Sequence, residues 1–188
     1  MMATSTWRSS TSLGVAKQAI VDFDAAVDTW VQQWRGHPVL DRVMYAASEL
    51  GDFSLIWHLV GTARALGPDR RAEDAVRVAT IIGIESLFVN GVVKSLVGRH
   101  RPVWEEERPR RLRKPRTSSF PSGHASSAAT AFGVLAQDDP LWPVYAVLAG
   151  VVATSRVYVK VHHASDVVAG AALGAGLALV ARRVWPRK

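Results

Sequence analysis

Residues 167–181 read VVAGAALGAGLALVA, a run without one charged or hydrogen-bonding side chain, bounded by Asp166 on one side and by Arg182 and Arg183 on the other. Such a run is too continuously apolar for a surface helix with one wet face, and its closing arginines suit a membrane boundary. Gly170 and Gly174 stand in a G-x-x-x-G arrangement, which lets two helix backbones approach closely. Working outward, four more mostly apolar stretches appear, at residues 40–66, 75–97, 123–136 and 141–158. A hydrocarbon core of about 30 Å is crossed by about 20 residues of helix. Several of these stretches are shorter, or carry Glu85, Arg156 or Asp166, groups that lipid excludes unless they face an interior. The expectation is an all-α, integral-membrane bundle of about five or six helices. Pattern alone also allows the buried helices of a soluble bundle.

Upstream, Val15, Ile20, Val21, Phe23, Val27, Trp30, Val31 and Trp34 recur at helical spacing among Lys17, Asp22, Asp24, Asp28 and Gln32. This predicts an N-terminal amphipathic helix lying along a membrane interface. Residues 1–12 are polar and lack the apolar core of a cleavable signal. The chain therefore divides into a tail and amphipathic helix over 1–36 and a membrane-embedded domain over 37–188. At 188 residues there is room for one sizeable domain.

The absence of cysteine excludes disulfides, thiolate nucleophiles and zinc ribbons. Twenty-three Lys and Arg against sixteen Asp and Glu leave a charge of +7, which points to a polyanionic partner: nucleic acid, an anionic membrane surface or a phosphate-bearing substrate. Most connections are short. The exception, residues 98–120, holds Glu105, Glu106 and Glu107 followed by Arg108, Arg110, Arg111, Arg113, Lys114 and Arg116, and reads as a solvated charged loop.

Three clusters set reactive groups against this apolar background. In the first, Ser86, Asn90 and Lys94 lie four apart on one helix face, with Arg101 and Pro102 just beyond its end; the bland reading is snorkelling basic residues. The second is Pro121, Ser122, Gly123, His124, where Ser122 can cap a helix and Gly123 lets its first amides approach an anion. The third runs Ser155, Arg156, His162, Asp166. If the chain after His162 is helical, His162 and Asp166 are one turn apart and can hydrogen-bond, fixing the imidazole tautomer and leaving its other nitrogen as nucleophile. His163, three residues from Asp166, competes for that role. Cationic clamps, two histidines and a carboxylate beside one of them are the equipment of phosphoryl transfer.

These clusters spell K-x6-R-P from Lys94 to Pro102, P-S-G-H from Pro121 to His124, and S-R-x5-H-x3-D from Ser155 to Asp166. In that order and spacing the chain resembles the type 2 phosphatidic acid phosphatase superfamily, over about residues 40–184. The resemblance implies that Lys94, Arg101 and Arg156 hold the phosphate oxygens, helped by Ser122 and Gly123. It implies His162 as nucleophile, oriented by Asp166, and His124 as the acid that protonates the leaving alkoxide. It implies no metal and no cofactor. One departure is visible: where many relatives have an aromatic residue and a proline after the nucleophile, His163 and Ala164 stand here.

If the five stretches each cross once, the loop after Val97, the start at Pro121 and the loop after Tyr158 fall on one side, so the motifs can meet. Arginines lie at both ends and leave the orientation open. The expected function is a multi-pass bacterial inner-membrane phosphatase acting on a lipid phosphate or diphosphate, with membrane lipids as its other partners. Two rivals are a catalytically silent protein that binds or moves anionic lipids and a nucleic-acid-binding domain. The apolar helices argue against the second.

Overall fold

The computed structural model describes residues 12–67, 72–104, 110, 112–113, 117–137 and 139–186. Most of the basic run from Arg108 to Arg116, like the polar N-terminus before Ser12, lies outside them. The described chain is helical without strands: α1 (Ser12–Gln32), α2 (Pro38–Leu50), α3 (Leu55–Leu66), α4 (Ala72–Leu96), α5 (Gly123–Leu135), α6 (Trp142–Tyr158) and α7 (Ala164–Val184). The all-helical class is as expected. The count is seven because residues 40–66 are not one helix. Gly51 ends α2, and Phe53 and Ser54 take left-handed φ values of 53° and 58°, which no continuous helix accommodates.

α4 and α7 are long and apolar enough to span a bilayer. α3 and α5, at 12 and 13 residues, extend only about 18–20 Å at 1.5 Å per residue. Large apolar side chains cover much of the outside, and several charged groups are buried beside the apolar core. Leu87 and Leu96 are 77% exposed, whereas Glu85 is 2%, Arg156 3% and Asp166 0% exposed. A water-soluble bundle has the reverse arrangement, so this distribution decides for a membrane solvent. α1 follows the same rule: Leu13, Val15, Ile20, Val21 and Trp30 face outward, as does Trp34 just after it, while Asp24 and Val31 are buried against the protein.

α5 and α7 form the spine. Ser122 lies against Gly170, Ser126 against Gly174 and Gly133 against Ala178, so the two helices run parallel. A Cβ on Gly174 would stand 2.1 Å from the Ser126 carbonyl oxygen, and one on Gly170 would stand 2.3 Å from that of Ser122. The G-x-x-x-G motif thus serves packing within the chain. α4 completes the central layer with a π-helical turn over Phe88–Val93, whose wider winding brings Asn90 and Lys94 to Gly123. At the end of the bundle away from Gly123, Arg64 of α3 pairs with Asp139, Asp74 and the Tyr145 hydroxyl, and Arg77 of α4 donates to the Trp185 carbonyl at 2.8 Å. These bonds tie α3, α4, α6 and α7 together.

Candidate active site

The three motifs arrive from different helices and meet at one end of the spine. Lys94 is carried on α4 and Arg101 on the segment after it; Gly123 and His124 open α5, Arg156 is in the last turn of α6, and His162 lies between α6 and α7. All six line one cleft of about 690 Å³.

His162 is 3% exposed. Its Nε2 lies 3.2 Å from Arg101 Nη1, a group that can only donate, so Nε2 carries the lone pair and Nδ1 the proton. Burial pushes the imidazole down to about 3; the guanidiniums of Arg156 and Arg101 add to the effect and Asp166 opposes it. The ring is therefore neutral at physiological pH, which leaves Nε2 unprotonated. Arg101 is held as a fork by carbonyls, donating to Val161 at 2.8 Å, Ser118 at 3.1 Å and Thr117 at 3.2 Å.

The relation of His162 to Asp166 differs from the expected hydrogen bond across one helical turn. α7 begins only at Ala164, with His163 as its N-cap, so His162 stands outside the helix. Asp166 Oδ2 lies 3.7 Å from His162 Nδ1, within reach of an ion pair but beyond a hydrogen bond. The Asp166 carboxylate is occupied elsewhere: Oδ1 accepts from Arg99 Nη1 at 2.6 Å, and Oδ2 accepts from Ser119 Oγ at 2.5 Å and the His163 amide at 2.9 Å. His163, in contrast to His162, does not line the cleft.

Ser122 caps α5, as its place before Gly123 suggests, but it does not line the cleft. It is fully buried behind the cleft, its Oγ accepting from the Ala125 amide at 3.4 Å and its own amide donating to the Asp166 carbonyl at 3.0 Å. Its hydroxyl caps α5 and stitches α5 to α7, while Gly123 is the residue of the motif that opens on the cleft. The cis bond between Phe120 and Pro121 precedes this cap.

Residues that the motifs do not fix complete the site. The Ser48 carbonyl at the end of α2 accepts from Arg156 Nη1 at 3.3 Å and lies 3.2 Å from His124 Nε2. Asp52, in the break between α2 and α3, has Oδ1 3.1 Å from the same Nε2. Burial would raise the Asp52 carboxyl, but the hydrogen bond and charge of His124, with Arg156 and Arg113, hold it below its ordinary value. Arg99 and Ser119 hold Asp166, and Arg99 Nη2 reaches on to Asp24 of α1 at 2.6 Å. Asp24 in turn accepts from the Ser165 amide and hydroxyl, both at 2.8 Å, so α1 is fastened to the start of α7. A signal for Asp52 existed in the sequence, an acidic residue inside an apolar stretch; Arg99 sat within K-x6-R-P as a variable position.

A helical membrane bundle with three phosphate-motif segments around one polar cleft is the architecture of a lipid phosphatase. The PAP2 superfamily profile matches residues 74–188, and the chain belongs to that superfamily. Among curated relatives, the decaprenylphosphoryl-5-phosphoribose phosphatase of Mycobacterium tuberculosis is 33% identical over 132 residues, covering 68% of this chain and 71% of the relative. Phosphatidylglycerophosphatase B of Bacillus subtilis is 29% identical over 150 residues, 73% and 71% of the two chains. The crystal structure of a transmembrane PAP2-type phosphatidylglycerolphosphate phosphatase from Bacillus subtilis superposes with a TM-score of 0.68 at 26% identity, over 88% of this chain and 86% of that one. Aquifex aeolicus LpxE shares the fold, with a TM-score of 0.67 at 23% identity over 85% and 94% of the chains.

Proposed function

We propose that the chain is a multi-pass inner-membrane phosphatase that removes the terminal phosphate of a lipid phosphate or diphosphate through a phosphohistidine on His162. The substrate class takes in polyprenyl phosphates and diphosphates, phosphorylated polyprenyl-sugars and phosphatidate-type glycerolipids. Relatives named for a phosphoribose-bearing polyprenyl lipid and for phosphatidylglycerophosphate support this range. The observation that carries the reading is the His162 Nε2 lone pair opening on a cleft shared with Lys94, Arg101, Arg156 and His124.

Lys94, Arg101 and Arg156 neutralise the phosphate oxygens, and the Gly123 backbone, lacking a side chain, lets them come close. The Nε2 lone pair of His162 forms the N–P bond as the bond to the leaving oxygen breaks, and that oxygen takes the Nε2 proton of the His124 imidazolium, which is left as the neutral ring with its proton on Nδ1. Asp166 stabilises the positive charge that the ring of His162 then bears. In the second step water attacks phosphorus, its proton passes to His124 Nε2, the N–P bond breaks and His162 is regenerated. Charge neutralisation comes from fixed cations, so no metal is needed. The outward apolar face of α1, within residues 1–36, serves as an interfacial anchor that keeps the cleft, in the domain formed by residues 37–188, at the headgroup level.

A silent lipid binder would need the cations but not a nucleophile and an acid on either side of the bound phosphorus. The deciding assay is phosphate release from a panel of lipid phosphates and diphosphates in detergent with chelator present. Activity that persists with chelator and is lost by about 10³-fold or more in His162→Ala supports the reading. Activity abolished by chelator, or retained in His162→Ala, overturns it.

A further inference from the structure

Among cleft-lining groups aimed at a polyanionic substrate, Asp52 is anomalous: it is a carboxylate beside Lys94, Arg101, Arg113 and Arg156. Repulsion between Asp52 and a bound phosphate is a cost that calls for a compensating role. The geometry around His124 supplies one. His124 Nε2 has two neighbours, the Ser48 carbonyl oxygen at 3.2 Å and Asp52 Oδ1 at 3.1 Å, and an ionised carboxylate and a carbonyl are both acceptors only. Nε2 must therefore be the protonated nitrogen. Gly51 makes the approach feasible, since a Cβ there would stand 2.4 Å from His124 Cδ2.

We infer that Asp52 is a positioning residue that keeps a proton on His124 Nε2, acting on the nitrogen that exchanges the proton rather than on the far side of the ring. This rests on the phosphatase reading above. Once the imidazolium has given its Nε2 proton to the leaving oxygen, the neutral ring keeps its proton on Nδ1, and a bare Nε2 lone pair faces two acceptors. That arrangement is repulsive, and it is relieved when Nε2 takes a proton from the water attacking the phosphoenzyme. Asp52 thus restrains proton donation slightly in the first step and drives proton recovery in the second, which suits a group that must be reloaded once per turnover. The groups facing Asp52 are His124 from α5, Arg156 from α6 and Arg113 from the loop before α5. With those cations around it, Asp52 stays ionised in the working range.

The leaving group separates this role from a structural one. An alkoxide leaves only with a proton, whereas nitrophenolate leaves without one. With the full-length protein in detergent micelles, Asp52→Asn is expected to lower kcat on an alkyl lipid phosphate by about 10- to 100-fold, with KM moving less than about threefold. On 4-nitrophenyl phosphate its kcat/KM, which reports phosphoenzyme formation alone, should fall by less than about threefold. In a His124→Ala background, Asp52→Asn should add no further loss on the lipid. Equal losses on both substrates, a loss carried by KM, or an additional loss in the His124→Ala background would overturn the proposal. Retained turnover of the aryl substrate also reports that the variant is folded. Failure of the underlying reading is distinct, because His162→Ala would then retain activity in the same assay.

Discussion

Gly174→Ala is the sharpest test of how this bundle is held together. The added Cβ would lie 2.1 Å from the Ser126 oxygen, 2.8 Å from its carbonyl carbon and 2.9 Å from its Cα, all backbone atoms that no side-chain rotation can clear. Ordinary contact begins near 3.4 Å, so α5 and α7 must separate locally by about 1.3 Å, the difference between 3.4 and 2.1. Overpacking of this kind costs about 1–3 kcal/mol. The functional cost should be larger than the loss of stability suggests, because α5 presents Gly123 and His124 while α7 fixes Asp166 beside His162. A displacement near 1 Å between reacting groups costs on the order of 10²-fold in rate. Gly176 is the internal control: it lies on the same helix and a Cβ there meets nothing within 4 Å. Gly176→Ala should leave activity unchanged and raise stability slightly, by up to about 1 kcal/mol, from reduced backbone entropy in the unfolded chain. Thermal melts in detergent paired with kcat/KM on a lipid phosphate measure both effects. If Gly174→Ala is as stable and active as Gly176→Ala, the close α5–α7 contact does not organise the site.

The other expectations can be checked on the same protein. Arg99→Gln removes the cation shared by Asp24 and Asp166, so it should destabilise the fold by about 3–5 kcal/mol and lower kcat, and Asp24→Asn added to it should restore part of the stability. An Arg99→Gln protein with unchanged melting and kcat would show that the bridge between α1 and the site is incidental. The pH dependence of stability has a definite sign. His162 is held near 3 when folded against an ordinary value of 6.5. Its contribution is therefore complete above about pH 6.5 and is lost as pH falls toward 3, with a slope of at most about 1.4 kcal/mol per pH unit. Melting temperature measured from pH 7.5 down to 4.5 should fall more steeply for the wild type than for His162→Gln, and parallel curves would refute the assignment.

Much of the site was legible before any coordinates, because phosphoryl transfer restricts residue types at fixed spacings. Lys94, Arg101, Gly123, His124, Arg156 and His162 do share one cleft. What was not legible came from segments far apart in sequence. Asp52 acquires meaning only because α5 sets His124 against it, and Asp24 only because Arg99 spans from α1 to Asp166. The break at Phe53 and Ser54 hid inside an apolar stretch, since hydropathy has no term for a left-handed backbone. Ser122 was legible in part: its place as a helix cap was read from the motif, while its burial behind the cleft follows from the packing of α5 on α7.

By itself, then, the amino-acid sequence determined a helical membrane bundle and three motifs rich in cations and imidazoles, because hydropathy and chemical type are properties of single residues and short spacings. Only the tertiary structure decided that Nε2 is bare in His162 and protonated in His124. Tautomers follow from the donors and acceptors at each ring nitrogen, and those neighbours, Arg101 for His162 and Ser48 with Asp52 for His124, are brought there by the packing of separate helices.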